Sequence, residues 1–343
     1  MLDSVEHLQI STNGIELHVA SLGSGPLVIM CHGFPGLWYS WRKQMPAIAA
    51  AGFRALAIDT RGYGRSDRPQ DFSAYDSETQ VADILGILDA LGEQQAIFIG
   101  QDFGAPLVWN ICARAPQRVK AAVVFGVPYD FESAAGDSQD AEVELLGGSA
   151  LPPSEQYALV AQDHFFHMHY FQTIGPADAE LNAQPREFLT RLYWALSANG
   201  NLLDWRNYPS DGTGYLDVLE PPGQPLPWSW MSEADMDYIV GEYTSAGPEL
   251  TFRGGLSAYR VQDINWQIAK GYQGVKVEAP VLFMMGADDP VRDMMPAAVF
   301  EHMRSGVPNL TDIHYVDGAG HFVMQEQPEA VNALLIPYLK QYR

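Results

Sequence analysis

The pentapeptide Gly100-Gln101-Asp102-Phe103-Gly104 contains the residue types of this sequence that point most directly to chemistry. It follows a short apolar run, Ala96-Ile97-Phe98-Ile99, which is typical of a buried strand, and it precedes residues 105–113, which predict a helix. Small residues on both sides of an acid, between a strand and a helix, are typical of a nucleophile elbow, in which a tight turn pushes the central side chain out of the sheet. In one interpretation, Asp102 is the central residue of such an elbow and would be a nucleophile. The alternative interpretation is a glycine-rich turn that carries an exposed aspartate.

A carboxylate at this position has consequences that a serine would not have. Attack by a carboxylate on a saturated carbon gives an ester, and water can then attack the ester carbonyl, whereas serine would give an ether that water does not readily cleave. A carboxylate is also ionised at neutral pH and needs no base to activate it. If Asp102 is the nucleophile, turnover would proceed through a covalent ester on its carboxylate.

The composition of the 343-residue chain limits the classes of protein and partner. Hydrophobic residues make up 47% and charged residues 18%, which is a globular composition, and 42 acidic against 20 basic residues give a formal charge of −22. That charge argues against nucleic acid and anionic membranes as partners. The N-terminal segment resembles no signal peptide, and no apolar run approaches the roughly 18 residues of a membrane span, so we expect a cytoplasmic protein. Cys31 and Cys112 are expected to be buried free thiols.

Alternating apolar strands and helices predict an α/β fold with a mostly parallel sheet covered on both faces. A hairpin around Asn13-Gly14 begins the pattern. Further strands are predicted at 26–31, 53–58, 96–99, 119–126, 281–285 and 311–316, and helices at 41–51, 81–91, 105–113 and 329–341. Residues 131–274 are instead aromatic, rich in proline and acidic, with helices predicted at 153–171, 184–196, 233–244 and 254–268. We therefore divide the chain into a core over 1–130 and 275–343 and an inserted helical domain over 131–274.

Several loops that follow predicted strands carry the motifs of a known family. His32-Gly33-Phe34-Pro35, Asp59 to Asp67, the elbow pentapeptide, Gly286-Ala287-Asp288-Asp289 and Gly318-Ala319-Gly320-His321 occur in the chain order of α/β-hydrolases. Within that superfamily the chain resembles a soluble epoxide hydrolase over nearly its whole length, and the inserted domain matches the cap of the family. The resemblance implies that Asp102 is the nucleophile, His321 the general base and Asp289 the acid that orients His321, with Asp288 as its close competitor.

The same resemblance assigns residues that would bind the substrate. Tyr170, in His169-Tyr170-Phe171-Gln172, and Tyr259, before Arg260, match the pair of tyrosines that polarises the epoxide oxygen. The backbone N–H groups of Phe34 and Phe103 are the expected oxyanion hole. Trp38 and Pro35 are expected to line the substrate pocket.

The resemblance implies conversion of a small apolar epoxide and water to a vicinal diol, without a cofactor. Two alternatives stay open: a haloalkane or haloacid dehalogenase, and a non-catalytic ligand receptor of the same fold. Phe103 argues against a dehalogenase, which typically carries a halide-binding tryptophan after the nucleophile, because a phenyl ring has no N–H to offer. The histidines His164, His167 and His169 have spacings that do not place all three on one helix face, so no metal site is predicted. The oligomeric state stays open between a monomer and a homodimer.

Overall fold

An eight-stranded sheet forms the centre of the protein. The structure, a computed structural model, describes residues 4–129, 151–295 and 297–343. The strands are β1 (Glu6–Thr12), β2 (Ile15–Gly23), β3 (Leu27–Cys31), β4 (Arg54–Ile58), β5 (Ala96–Gln101), β6 (Val119–Phe125), β7 (Val281–Gly286) and β8 (Leu310–Val316).

The strand order is β1-β2-β4-β3-β5-β6-β7-β8. β2 pairs antiparallel with β1 and β4, and all the other pairs are parallel. β5, the strand before the elbow, therefore lies between β3 and β6, where both of its edges are hydrogen-bonded. The prediction of a mostly parallel sheet is confirmed, and the interior of the sheet holds the segment that must be positioned most accurately.

Helices cover both faces of this sheet. The helices of the core are α1 (Met45–Ala50), α2 (Ser77–Leu91), α3 (Gly104–Arg114), α12 (Ala298–Gly306), α13 (Val323–Glu326) and α14 (Pro328–Lys340). One face of the sheet packs against α2 and α3 together with α12, and the other packs against α1 and α14. Short 3₁₀ helices occupy Trp38–Trp41, Phe72–Tyr75, Pro116–Arg118 and Pro290–Met294.

A second set of helices lies between β6 and β7 in the chain and has an aromatic core of its own. These helices are α4 (Pro153–Val160), α5 (His167–Tyr170), α6 (Pro176–Ala183), α7 (Pro185–Ala195), α8 (Tyr215–Val218), α9 (Glu233–Thr244), α10 (Arg253–Arg260) and α11 (Gln262–Ala269), with 3₁₀ turns at Leu202–Asn207, Pro248–Leu250 and Lys270–Tyr272. We call this set the cap. The predicted start of the inserted domain at residue 131 lies outside the described residues.

One predicted cap helix is interrupted. The sequence predicts a continuous helix over 153–171, but α4 ends at Val160 and α5 begins at His167. Phe166 between them is extended, with φ −141° and ψ 113°, and the Phe165 N–H donates to the carbonyl of Tyr208 at 2.7 Å instead of to a helical partner. Both phenylalanines are buried in the aromatic core of the cap. The extended backbone at Phe166 and the long-range hydrogen bond of Phe165 interrupt the helix at this pair.

The cap is bound to the core by charged and polar contacts. Arg42 forms an ion pair with Asp235 at 3.0 Å, and Arg65 forms one with Glu242 at 2.6 Å.

None of the helices among residues 4–129, 151–295 and 297–343 has the length and apolar character that crossing a membrane requires. Cys31 and Cys112 are buried and free, and burial raises the pKa of each thiol to about 12.

Candidate active site

The elbow between β5 and α3 places Asp102 at the carboxyl edge of the sheet. Asp102 has φ +53°, in the left-handed region that a residue with a side chain rarely adopts. The flanking positions have no room for a side chain: a Cβ on Gly100 would lie 2.1 Å from the Gly104 carbonyl oxygen, and one on Gly104 would lie 2.1 Å from the carbonyl oxygen of Cys31. The two glycines are therefore needed because backbone atoms touch there.

The Asp102 carboxylate has a different partner on each oxygen. Oδ1 accepts a hydrogen bond from the Phe34 backbone N–H at 2.7 Å, and Oδ2 lies 3.3 Å from His321 Nε2. A Cβ on Gly33 would lie 2.2 Å from Oδ1. The loop after β3 can therefore approach the carboxylate only because residue 33 is a glycine. One oxygen is thus held by the backbone, and the other faces the imidazole.

His321 lies between two carboxylates. Its Nδ1 is 3.1 Å from Asp289 Oδ2, and Asp289 is 3% exposed, whereas Asp288 is exposed to solvent. Of the two acids that the sequence left open, Asp289 is the one that contacts the His321 imidazole. Asp289 also accepts a hydrogen bond from the Val291 N–H at 2.9 Å, which fixes the carboxylate at the start of the 3₁₀ turn.

The two carboxylates outweigh the effect of burial on His321. Burial by itself disfavours the charged imidazolium, but the negative charges of Asp289 and Asp102 and their hydrogen bonds raise the pKa of His321 to about 10. The resting site therefore contains an imidazolium between two acids. Loss of either negative charge lowers this pKa again.

Glu326 holds the His321 loop, and the sequence did not predict this. Its carboxylate accepts hydrogen bonds from the N–H groups of Gly320 at 3.0 Å, Phe322 at 3.1 Å and Ala198 in the cap at 2.9 Å. The His321 N–H also donates to the carbonyl of Leu196, at the end of α7, at 2.9 Å. The cap thus helps to position the histidine. A glutamate five residues after a histidine carries no pattern that would have revealed this role.

The loop after β3 is braced from both sides. His32 Nε2 accepts from the Thr60 N–H at 3.2 Å, so its Nδ1–H donates to the Gly33 carbonyl at 2.7 Å, and burial lowers the pKa of this imidazole. From the cap, the Tyr193 hydroxyl donates to the Pro35 carbonyl. This bracing keeps the Phe34 N–H on Asp102. Phe103, directly after Asp102, is the residue before the first residue of α3, and the donor role of its N–H stays a prediction.

A cavity of about 410 Å³ lies between this edge of the sheet and the cap. Asp102 and His321 form part of its floor, with Phe34, Phe103 and Trp109 beside them. From the cap, its lining includes His167, Met168, Phe171, Tyr215 and Tyr259. Aromatic and aliphatic side chains make up most of the walls, and Asp102 is the acidic residue of the lining.

The two tyrosines that the sequence paired have different surroundings. Tyr259 lines the cavity, and its ring lies 4.9 Å from that of Phe103; burial, with the Asp102 charge as a second cause, raises its pKa well above the usual value. Tyr170 is not part of the cavity wall. Its hydroxyl donates to Glu180 Oε2, in α6, at 2.9 Å. The structure therefore contradicts the prediction that Tyr170 pairs with Tyr259, because α5 begins at His167 and turns the Tyr170 side chain toward α6.

The two residues predicted as pocket walls also lie elsewhere. Trp38 does not line the cavity: its backbone N–H donates to Asp59 Oδ1 at 2.9 Å and its Nε1–H to the Tyr238 hydroxyl at 2.9 Å. Its location at the cap–core boundary corrects the prediction. Pro35 is likewise absent from the cavity wall and contributes its carbonyl to the bracing by Tyr193.

The histidines near α5 do not converge on one point. His164 Nδ1 lies 2.8 Å from the Phe165 carbonyl, His169 is not part of the cavity wall, and His167 lines the cavity. Across the described part of the chain, the structure contains no group of three or more His, Cys, Asp or Glu side chains that could hold a metal ion. His167 is the residue that sequence reasoning missed here. The one signal for His167 in the sequence was its position three residues before Tyr170. The sequence did not reveal where α5, the helix that carries both residues, begins.

Comparison with known proteins places this fold and site in a family. The family described as the alpha/beta hydrolase fold matches residues 26–328. Epoxide hydrolase A of Mycobacterium tuberculosis is 36% identical over 334 residues, which cover 96% of each chain. Epoxide hydrolase 2 of Siraitia grosvenorii is 33% identical over 99% of this chain and 100% of that one. The chain therefore belongs to the alpha/beta hydrolase fold family and, within it, to the epoxide hydrolases.

Solved structures agree with this assignment. The crystal structure of epoxide hydrolase A from Mycobacterium thermoresistibile superimposes with a TM-score of 0.85 at 36% identity and covers 98% of both chains. The Vigna radiata epoxide hydrolase VrEH1 superimposes with a TM-score of 0.83 at 30% identity and covers 99% of both chains. The protein is a hydrolase, as the motifs predicted.

Proposed function

We propose that the protein converts an apolar epoxide and water to a vicinal diol through an ester on Asp102. The observation that carries the proposal is a carboxylate at the elbow, in the same cavity as the His321 imidazole and the Tyr259 phenol. A carboxylate, a base and an acidic hydroxyl are the groups that ring opening followed by ester hydrolysis requires. The volume of about 410 Å³ and the apolar walls suit a small neutral molecule.

The first step is ring opening. Oδ2 of Asp102, the oxygen that the Phe34 N–H does not hold, attacks a ring carbon, the ring C–O bond breaks, and its electron pair stays on the oxygen, which takes the phenolic proton of Tyr259. The high pKa of Tyr259, which burial and the Asp102 charge produce, keeps the phenol protonated until this moment. The product is a hydroxyalkyl ester on Asp102 and a tyrosinate. Stabilisation of the developing alkoxide favours the transition state over the bound epoxide.

The second step is hydrolysis of the ester. Esterification removes the negative charge of Asp102, so the pKa of His321 falls from its resting value of about 10. The imidazolium can then lose its proton, which ultimately restores the Tyr259 phenol, and the neutral ring takes a proton from water as the water attacks the ester carbonyl. The N–H groups of Phe34 and Phe103 would stabilise the resulting oxyanion, and Asp289 would stabilise the imidazolium that forms. Collapse of the oxyanion breaks the bond between the carbonyl carbon and the diol oxygen. The diol oxygen takes the remaining proton of the attacking water, so the diol leaves and Asp102 returns to the carboxylate.

The proposal is tested with a styrene-oxide-type substrate and the variant Asp102→Ala, which should form no diol. The matched control is Asp288→Ala, the same change at the exposed neighbour of Asp289, and it should retain activity. Asp289→Ala should slow ester hydrolysis. Diol formation by Asp102→Ala at the wild-type rate would refute the proposal, and chloride release from haloalkanes without epoxide turnover would favour the dehalogenase instead.

A single turnover in ¹⁸O-labelled water tests the ester directly. Water attacks the ester carbonyl, so the first label should appear in the Asp102 carboxylate and reach the diol only in later turnovers. Peptide mass spectrometry after one turnover measures this. Label that appears in the first diol, with unlabelled Asp102, would indicate direct attack of water on the epoxide.

A further inference from the structure

The His167 side chain lies inside an aromatic enclosure that opens on the substrate cavity. Its ring stacks on Tyr215 at 5.5 Å with an interplanar angle of 9°, and it lies 4.7 Å from Trp205. It meets the Tyr259 ring edge-on at 5.6 Å. The residue is 5% exposed and forms part of the cavity wall together with Tyr259 and Asp102. These contacts fix the ring and its orientation toward Tyr259.

The imidazole has unused hydrogen-bonding capacity. Nδ1 is buried and has no hydrogen-bond partner among the described residues. Nδ1 is enclosed and does not itself face the cavity, so Nε2 is the ring nitrogen that remains to meet a ligand there. Buried polar groups of native proteins nearly always have a partner, and for an imidazole in a cavity wall a ligand or a bound water can be that partner. No protein group among the described residues therefore commits the proton of this ring to a structural hydrogen bond at Nδ1.

The charge state of His167 follows from its surroundings. Burial lowers its pKa to about 3, and the negative charge of Asp102 opposes this only weakly. The ring is thus neutral at pH 7 and carries one N–H. A neutral imidazole can donate a hydrogen bond to a developing oxyanion without first being protonated, as other enzymes use it.

We propose that His167 is the second donor to the epoxide oxygen and fills, beside Tyr259, the role that the sequence had given to Tyr170. The inference rests on the proposed function. In the ring-opening step the ring oxygen receives the electron pair of the breaking C–O bond and the proton of Tyr259. His167 donates an N–H hydrogen bond to the same oxygen and keeps its proton throughout. His167 is then a catalytic residue that neither gains nor loses charge.

Ring opening can be measured alone in the His321→Gln background, in which the ester should accumulate. Four substitutions of His167 separate the donor from the aromatic ring: Tyr has a ring and a donor, Phe a ring without a donor, Gln a donor without a ring, and Met neither. Rapid quench and mass spectrometry of the Asp102 peptide give the rate of ester formation. The matched control is His169→Phe, the same change on the same helix but outside the cavity wall.

If His167 is a donor, the rates sort by the donor. His167→Phe and His167→Met should form the ester about 10²-fold more slowly, as expected for the loss of one oxyanion donor, while His167→Tyr and His167→Gln should keep most of the rate. With His321 present, hydrolysis of the preformed ester should be unchanged in His167→Phe. Because two variants lack the donor and two retain it, one misfolded variant, detected by thermal unfolding, leaves the comparison intact.

Rates that sort by the ring, with Phe equal to wild type and Gln slow, would overturn the inference and leave His167 a packing residue. The result would be distinct from failure of the proposed function, because in that case His321→Gln with wild-type His167 would accumulate no ester at all.

Discussion

The neighbours of His321 determine whether its imidazole is protonated or neutral. In the resting site both Asp102 and Asp289 are charged neighbours, and the imidazole is held as a cation with a pKa of about 10. This is the wrong form for a base, but in the mechanism that we propose esterification of Asp102 removes its charge, and the imidazole can then lose its proton. In that mechanism the same carboxylate is both the nucleophile and the group that keeps His321 protonated until an ester exists.

This arrangement predicts a pH-dependent stability. The native state binds a proton at His321 that the unfolded chain, with a histidine pKa of about 6.5, releases. This contribution to the free energy of unfolding is fully present below about pH 6.5 and is lost as the pH rises through the folded value, at up to ~1.4 kcal/mol per pH unit. Denaturant unfolding of the wild type between pH 7 and 9 should therefore show stability falling with pH.

The variant Asp102→Asn supplies the comparison. It removes one of the two charges that raise the His321 pKa, so the fall in stability between pH 7 and 9 should be smaller than in the wild type. Other groups titrate in the same window in both proteins, and their effect cancels in the difference. Equal slopes for the two proteins would contradict the assigned charge state of His321.

Trapping of the intermediate is a second prediction for a single residue. His321→Gln removes the base but leaves Asp102 and Tyr259 in place, so the ester should form and persist. Peptide mass spectrometry should show the Asp102 peptide heavier by the mass of one epoxide. The double variant Asp102→Ala/His321→Gln serves as the control, and an adduct on it would place the alkylation on some other residue.

At the level of secondary structure, the start of α5 determines which of its side chains line the cavity. Tyr170 binds Glu180 Oε2, and the Glu180 carboxylate also accepts the N–H groups of Tyr215 at 3.0 Å and Leu216 at 2.9 Å at the start of α8. The Tyr170 hydroxyl is therefore part of a structural contact between α5, α6 and α8. His167, three residues earlier, lies in the cavity wall.

This difference predicts opposite results for two identical substitutions. Tyr170→Phe should leave the rate of ester formation unchanged and lower the free energy of unfolding by about 0.5–1.5 kcal/mol, the usual value of one hydrogen bond. Tyr259→Phe should slow ester formation by about 10²–10³-fold. Single-turnover kinetics and urea unfolding measure the two effects. Equal slowing by both substitutions would restore the original pairing of the tyrosines.

The contrast between the elbow and α5 explains what the sequence could predict. Apolar runs and glycines determined the elbow, since Gly100 and Gly104 are required where backbones touch, and such requirements are visible in a sequence. For the acid partner of His321, the sequence left two adjacent candidates, Asp288 and Asp289. The direction of Tyr170 depended instead on where α5 starts, and α5 starts after a buried, extended segment at Phe165 and Phe166 in the cap core. Tertiary packing of this kind has no local signal.

At the scale of the whole molecule, the excess of acidic residues opposes compaction. A formal charge of −22 on 343 residues produces repulsion over the surface, and the ion pairs Arg42–Asp235 and Arg65–Glu242 use two of the few basic residues to hold the cap on the core. Repulsion between exposed charges acts over longer distances than these contacts. Salt should therefore weaken the repulsion more than it weakens the pairs.

The protein should accordingly become more stable as NaCl is raised from low ionic strength to about 0.5 M, where the screening length falls to a few ångströms. A gain of about 1 kcal/mol would raise Tm by about 2 °C in a chain of this size, which scanning calorimetry resolves. KCl at equal ionic strength should give the same shift, because screening depends on charge and not on the identity of the ion. The variant Arg65→Met serves as a comparison. It removes the ion pair with Glu242 and leaves one more uncompensated negative charge, so NaCl should raise its Tm by more than it raises that of the wild type. A Tm that falls with NaCl in the wild type would mean that the ion pairs, and not the surface repulsion, dominate the electrostatic free energy of this fold.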